Sequence, residues 1–325
     1  NEHHQTAYGL MPSPDVMASW LIAKTSRARI AILGNAIPLR DHPMRVAEEI
    51  AMMDVISGGR VICGFVRGIG PEYHNFTMNP AVGLERFREA HDLIIKAWTE
   101  PGPFRWEGHH YPLEHVNPWP RPLQQPHPPI WVPSQGSGET IEWAAERHYT
   151  FVVTFTPHRN VIRYMEQYRE QARGFGYEAP PEQMAWAVPI YVGATDESAL
   201  AEAAPHAEYL FNKLLKRPLS VFFPPGYLSE QSAKGVMRAF GSIGVNRTTA
   251  EQLNEEGQMV IGSSESVLRR LKEYVDLSGI GTLVVLLQFG SMPHEQAIAN
   301  MDRFAREVMP ELRTHVSAVY EAEKA

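Results

Sequence analysis

The sequence predicts a parallel α/β fold, built either as an open doubly wound sheet or as an incomplete eight-stranded β/α barrel. Three observations point there: six short runs rich in β-branched and apolar residues, longer stretches of helical periodicity between them, and glycine or proline punctuation at the junctions. Arg29 to Ile37 reads as the first strand. After Pro43 the apolar residues Val46, Ala47, Ile50, Ala51 and Met53 recur at helical spacing, and Gly58-Gly59 supply a left-handed stop. Arg60 to Val66 is too short for a buried helix and suits a strand covered on both faces. A helix from Leu84 to Trp98 follows, with Phe87, Ala90, His91, Ile94 and Trp98 on its inner stripe, where His91 reads as a packed side chain. Pro101 to Pro129 is rich in proline and aromatics, and its Glu107-Gly108 turn signal between Phe104, Trp106 and Tyr111 marks a hairpin on the rim.

The alternation then resumes with strand Ile130 to Pro133, helix Thr140 to Arg147, strand Thr150 to Phe155, helix Asn160 to Arg173 and strand Met184 to Val192. Ala204 to Gln258 breaks the rhythm, contains Phe222-Phe223-Pro224-Pro225-Gly226-Tyr227, and reads as helices plus a mobile lid. Ser263 caps a helix with Leu268, Leu271 and Val275 inward, ahead of the last strand, Thr282 to Phe289, and the last helix, Glu295 to Met309. The whole is expected to form one domain over 1–325 with rim insertions at about 101–129 and 204–258.

Composition narrows the function. A net charge of −7 leaves no basic surplus for phosphate backbones, and no Lys/Arg-rich run occurs, so nucleic acid is not an expected partner. No apolar stretch reaches the roughly 20 residues that span a bilayer, and no signal peptide opens the chain. The single cysteine, Cys63, lies in an apolar run and reads as core packing, which fits a reducing, cytoplasmic setting. His3, His4, His42, His109 and His110 lack any metal-binding spacing, so no metal is expected. Gly68-Ile69-Gly70 is followed by Pro71 and lacks the third glycine of a dinucleotide loop, and neither a P-loop nor a nucleophile elbow exists.

In parallel β/α proteins, chemistry belongs at the C-terminal ends of strands. Glu2-His3-His4 offers a base or hydrogen-bonding group near neutral pH, or is a solvated tail. Arg67-Gly68-Ile69-Gly70 follows a strand and pairs a guanidinium with backbone N–H groups, as an anion site would, although Arg67 equally suits an ordinary ion pair. Ser134 to Thr140 is a small-residue loop entering a helix, which suits either a phosphate or a plain cap.

These places, in this order, resemble those of the bacterial-luciferase-like flavin-dependent monooxygenases, and the resemblance covers almost the whole chain. Its most specific stretch is His42-Pro43, Ala47-Glu48-Glu49, Met53-Asp54, Ser57-Gly58-Gly59-Arg60 and Gly64 to Gly68. The resemblance implies a parallel (β/α)8 TIM barrel, with the first β–α unit and most of strand 2 lying before Asn1. It implies that His3 assists flavin oxygen chemistry and that Asn35 and Ala36 form a bulge under the flavin ring, where relatives carry a non-prolyl cis peptide. It further implies that Arg67, Gly68, the Ile69 N–H, Ser134, Ser137, Gly138 and Thr140 bind the cofactor around its phosphate. Gly136 departs from the acidic residue some relatives place before Ser137.

The activity so implied is a two-component monooxygenase. Reduced FMN from a separate flavin reductase would react with O2 to a C4a-peroxyflavin that oxygenates an apolar small-molecule substrate, in a homodimer. Two other readings stay open: an F420-dependent dehydrogenase on the same barrel, and a non-catalytic flavin-binding protein.

Overall fold

The structure is a computed structural model and describes residues 1–228 and 248–317. These residues fall into two compact units, one made of 1–133 with 217–228 and the other of 134–216 with 248–317.

The first unit is built on parallel strands. Strand β1 (Ile30–Ala36) pairs with β2 (Val61–Val66), which pairs in turn with β5 (Ile130–Ser134) through Cys63 opposite Ile130 and Gly64 opposite Trp131. Between β1 and β2 runs helix α2 (Pro43–Ser57), opened by Pro43 and ended by Gly58 at φ 71°. That glycine adopts the left-handed conformation at no side-chain cost, and its N–H returns to the Val55 carbonyl. Helix α4 (Gly83–Thr99) lays Phe87, Ala90, His91, Ile94 and Trp98 inward as expected, and Trp98 Nε1 donates to the Ala47 carbonyl of α2 at 3.0 Å. His91 is buried and stays close to Asp92, 2.8 Å away. The rim hairpin forms where expected, as β3 (Phe104–Glu107) and β4 (Pro112–Val116).

The β1–β2 register slips between Ile32 and Asn35, a β-bulge that puts Gly34 at φ 142° and re-aims the strand at Asn35 and Ala36, both fully buried. The slip lies just before Asn35 and Ala36, the pair at which the family resemblance implies a bulge. Its peptide bonds are trans; the cis bonds among the described residues all precede proline.

The second unit is again parallel. Strand β7 (Met184–Gly193) is buried along its whole length and pairs with β6 (Thr150–Thr154) and with β9 (Thr282–Leu286). Its last residues, Ile190 to Gly193, pair with β8 (Val260–Ser263). Helices α5 (Gly138–Glu146) and α6 (His158–Gly174) follow the expected pattern.

Several elements differ from the sequence reading. Helix α1 (Pro14–Lys24), the short helix α3 (Gly70–Asn75) and strand β8 were not expected. Helix α7 (Asp196–Tyr209) starts ahead of the irregular stretch, which then holds α8 (Leu219–Phe222) and α9 (Ala250–Glu255). Residues 229–247 of the expected lid lie outside the described residues. In α10 (Ser264–Ser278), capped by Ser263 as expected, Leu271 is fully buried as expected and Val267 joins it, while Leu268 and Val275 are half-buried. No helix among the described residues is long and apolar enough to cross a membrane.

Candidate active site

In the first unit, the C-terminal ends of β1 and β2 and the segment around His3 come together. Nothing regular holds residues 1–9 in place; side chains do. Glu2 is 5% exposed and accepts hydrogen bonds from the Ala36 N–H at 3.0 Å and from Arg40 Nη2 at 3.2 Å, while His4 Nε2 lies 2.8 Å from its other oxygen. Asn75 Nδ2 donates to the His4 carbonyl at 2.9 Å. The Glu2-His3-His4 segment is therefore docked on the strand ends, not solvated.

His3 Nδ1 sits 2.7 Å from Glu72 Oε1, and the other oxygen of Glu72 accepts the Ile69 N–H at 2.5 Å. Glu72 is 1% exposed. The Ile69 N–H, expected to face a phosphate, thus donates to a carboxylate of its own helix start. This follows from the local sequence: an acid three residues into a helix reaches back to the N–H that opens it.

Among the described residues Arg67 has no carboxylate partner; its guanidinium lies 4.0 Å over the Tyr227 ring. Tyr73 donates to the Arg67 carbonyl at 2.9 Å and Tyr227 to the Gly68 carbonyl at 2.6 Å, with Gly68 at φ 83°. A cation held by an aromatic face keeps its N–H donors in the guanidinium plane for another partner. Burial raises the Tyr73 hydroxyl well above the ordinary tyrosine range and pushes Asp15, beside Arg40, up to about 6.

In the second unit, Ser134 Oγ accepts from the Gly136 N–H at 3.1 Å and Gly136 takes φ 94°. Ser137 stands at the N-cap of α5 without capping it; its Oγ instead lies 3.3 Å from Thr140 Oγ1. Two hydroxyls and the first-turn N–H of Gly138 therefore share the positive end of a nine-residue helix.

Sequence reasoning missed Glu72, Tyr73 and Arg40, and noticed Tyr227 only as part of the expected lid. Glu72 alone carried a local signal, as an acid three residues beyond a loop-to-helix junction. No group of histidines, cysteines and acids among the described residues is arranged to hold a metal ion.

The C-terminal ends of parallel strands, where this polar cluster lies, are where β/α enzymes carry their active sites. Residues 1–279 match the family model of luciferase-like monooxygenases, and the chain belongs to that family of oxidoreductases. The oxygenase component of a flavin-dependent trigonelline monooxygenase from Acinetobacter baylyi is 27% identical, over 98% of this chain and 88% of that protein. The oxygenating constituent of 3,6-diketocamphane monooxygenase from Pseudomonas putida, a type II Baeyer-Villiger enzyme solved with FMN, is 21% identical with a TM-score of 0.71, over 95% of this chain and 86% of that one. The F420-dependent tetrahydromethanopterin reductase of Methanopyrus kandleri has a TM-score of 0.63 at 18% identity, over 92% and 88%. The fold is accordingly that of the luciferase-like β/α-barrel enzymes.

Proposed function

We propose that this chain is the oxygenase component of a two-component monooxygenase that binds reduced FMN delivered by a separate reductase and oxygenates an apolar organic substrate with O2. The observation that carries the reading is Arg67, which has no acid partner among the described residues and directly follows Val66 of β2, the residue that pairs with Ala36 at the end of β1. When bound, reduced FMN supplies the electrons that activate O2, and one oxygen atom passes to the substrate.

The residues fit a phosphate-bearing flavin. In the second unit, the Ser137 and Thr140 hydroxyls and the Gly138 N–H are the donors a phosphate dianion takes at a helix start, with Ser134 shaping the loop. In the first, the Arg67 guanidinium is such a donor, while Gly68 permits the turn behind it. The Ile69 N–H joins them only if Glu72 yields it. Asn35 and Ala36 at the bulge form a wall for the flavin ring, and His3 moves a proton at Nε2. The relatives that act as oxygenase components of flavin-dependent systems support the reductase partner.

Exposed apolar side chains on α1 and α2, with Val16 at 70%, Trp20 at 56% and Ile56 at 66%, support a homodimer, which sedimentation velocity tests.

The central test is a comparison of FMN with riboflavin, which lacks the phosphate. Arg67→Ala and Ser137→Ala should each weaken FMN binding by roughly tenfold or more, as expected for about 1.5–3 kcal/mol per charge-assisted hydrogen bond, and leave riboflavin binding unchanged. Equal binding of the two flavins would defeat the phosphate assignment. Tighter binding of F420 than of FMN would favour hydride transfer, for which the shared fold with an F420-dependent reductase is the support. Full turnover in His3→Ala would show that His3 has no catalytic part, and flavin binding without turnover in the wild type would leave a non-catalytic flavin-binding protein.

A further inference from the structure

The carboxylate of Glu72 has two oxygens and two partners, and one of those partners leaves no freedom. The Ile69 N–H can only donate, so Oε2, 2.5 Å away, must accept. An ionised carboxylate accepts at both oxygens. Oε1, 2.7 Å from His3 Nδ1, therefore requires that Nδ1 carry the proton. In the neutral imidazole that leaves Nε2 with its lone pair. Nε2 has no hydrogen-bonding partner among the described residues, and the His3 side chain is 20% exposed, so this atom is open to a reactant.

The ring has little room to turn. Tyr8 packs at 4.9 Å between centroids, and Gly9 passes so near the His3 backbone that an added Cβ would come within 2.6 Å of it. Glu72 itself is buried in a short helix whose other contacts fix its backbone. A buried acid that orients an imidazole and selects its tautomer is the arrangement by which a histidine is made a base.

We propose that Glu72 is a positioning residue: it locks His3 in the Nδ1–H tautomer and so makes Nε2 the proton-accepting atom of the site. The proposal rests on the reading of His3 as the group that moves a proton there.

Glu72→Gln gives a sharp test because the amide has only one acceptor. Its oxygen must stay on the Ile69 N–H, since turning the amino group there would set two donors face to face. The amino group then points at His3 Nδ1, which must accept, and the imidazole proton moves to Nε2. Side-chain volume and the bond to Ile69 are kept, while the base becomes a donor.

The tautomer is read on the cofactor-free chain by long-range 1H–15N correlation of labelled histidines, about two pH units above the ordinary imidazole value, with His3 assigned by its loss in His3→Ala. Wild type should show a protonated Nδ1 and an unprotonated Nε2, and Glu72→Gln the reverse. Reoxidation of reduced FMN by O2 supplies the second readout. Its rate should change in Glu72→Gln as it does in His3→Ala, by roughly a hundredfold, while the Kd for FMN moves less than about threefold.

A protonated Nε2 in wild type overturns the proposal, and that measurement stands even if Glu72→Gln fails to fold. An unreversed tautomer in Glu72→Gln overturns it as well, as does a reversed tautomer with a wild-type rate while His3→Ala is impaired. A wild-type rate in His3→Ala itself instead defeats the reading of His3, and is told apart because the tautomer is measured without cofactor or turnover.

Discussion

Replacing Asp15 by Asn should stabilise the protein at neutral pH and leave it unchanged in acid. Asp15 lies in the first turn of α1, where a carboxylate is usually welcome, yet it is only 6% exposed. Its nearest cation, Arg40 Nη2, is 3.6 Å away and is shared with Glu2. Burial outweighs that attraction and lifts the carboxyl from 3.8 to about 6. A folded-state value above the unfolded one means that the native state holds the proton more tightly. Its stability therefore falls as pH rises from about 4 to about 6 and then stays level. Two units at 1.36 kcal/mol each set the loss at about 3 kcal/mol. Asparagine mimics the protonated acid without titrating. Urea unfolding at fixed ionic strength should show the two proteins equal near pH 4, diverging through pH 5, and separated by up to about 3 kcal/mol at pH 7. A difference that does not vary with pH, or an Asp15→Asn protein weaker than wild type at pH 7, would refute the argument and show that the Arg40 pair outweighs desolvation.

Three more outcomes follow from buried groups and close contacts. His158, stacked on Tyr274 at 3.8 Å, is lowered from 6.5 to about 4 by burial, so its contribution is whole above pH 6.5 and is lost as pH falls toward 4, by about 3 kcal/mol; an imidazole NMR titration near 6.5 would contradict this. Gln124→Ala removes an Nε2 that donates to the buried Asp54 at 2.7 Å and to the Val61 carbonyl at 2.8 Å, and should cost about 1.5–3 kcal/mol in urea unfolding. Gly70→Ala would set a Cβ 2.1 Å from the Val221 carbonyl oxygen, so the segment 217–228 must shift at a cost of about 1–3 kcal/mol, seen as faster tryptic cleavage at Lys216; unchanged cleavage would show that the contact relaxes.

The elements legible in the sequence are those whose burial is one-sided or complete. Helix α4 turns a single stripe inward, and β7 is buried throughout, so periodicity or its absence identifies them. Helix α1 defeats that test: Ala18 and Ile22 are buried while Val16, Met17 and Trp20 are exposed, so apolar residues ring the helix and no face stands out. Its one local sign is Ser13-Pro14-Asp15, a helix opening with proline at the first position. Strand β8 is four residues long and owes its conformation to pairing with the end of β7, which no local pattern announces. The bulge at Asn35 came from resemblance, and its physical cause, the slipped register with Gly34 at φ 142°, is visible only in the fold.

The same distinction separates the site residues that were found from those that were not. His3 and Arg67 stand at positions where the chain leaves a strand or carries a charge without local employment, and such residues draw notice in a sequence. Tyr227 draws notice only as part of the expected lid, because the contact that ties it to the site spans 159 residues to Gly68. Glu72 is hidden for a different reason: an acid at the start of a helix looks like a cap, and it is one, for Ile69. A cap uses one carboxylate oxygen. The other remains available to any donor the fold delivers, and here the fold delivers His3, which residues 1–9 bring to it through Glu2 and Asn75 rather than through secondary structure. The tautomer of the histidine is thus set by whatever holds that segment down, so its chemistry depends on the two buried acids together and not on the imidazole alone.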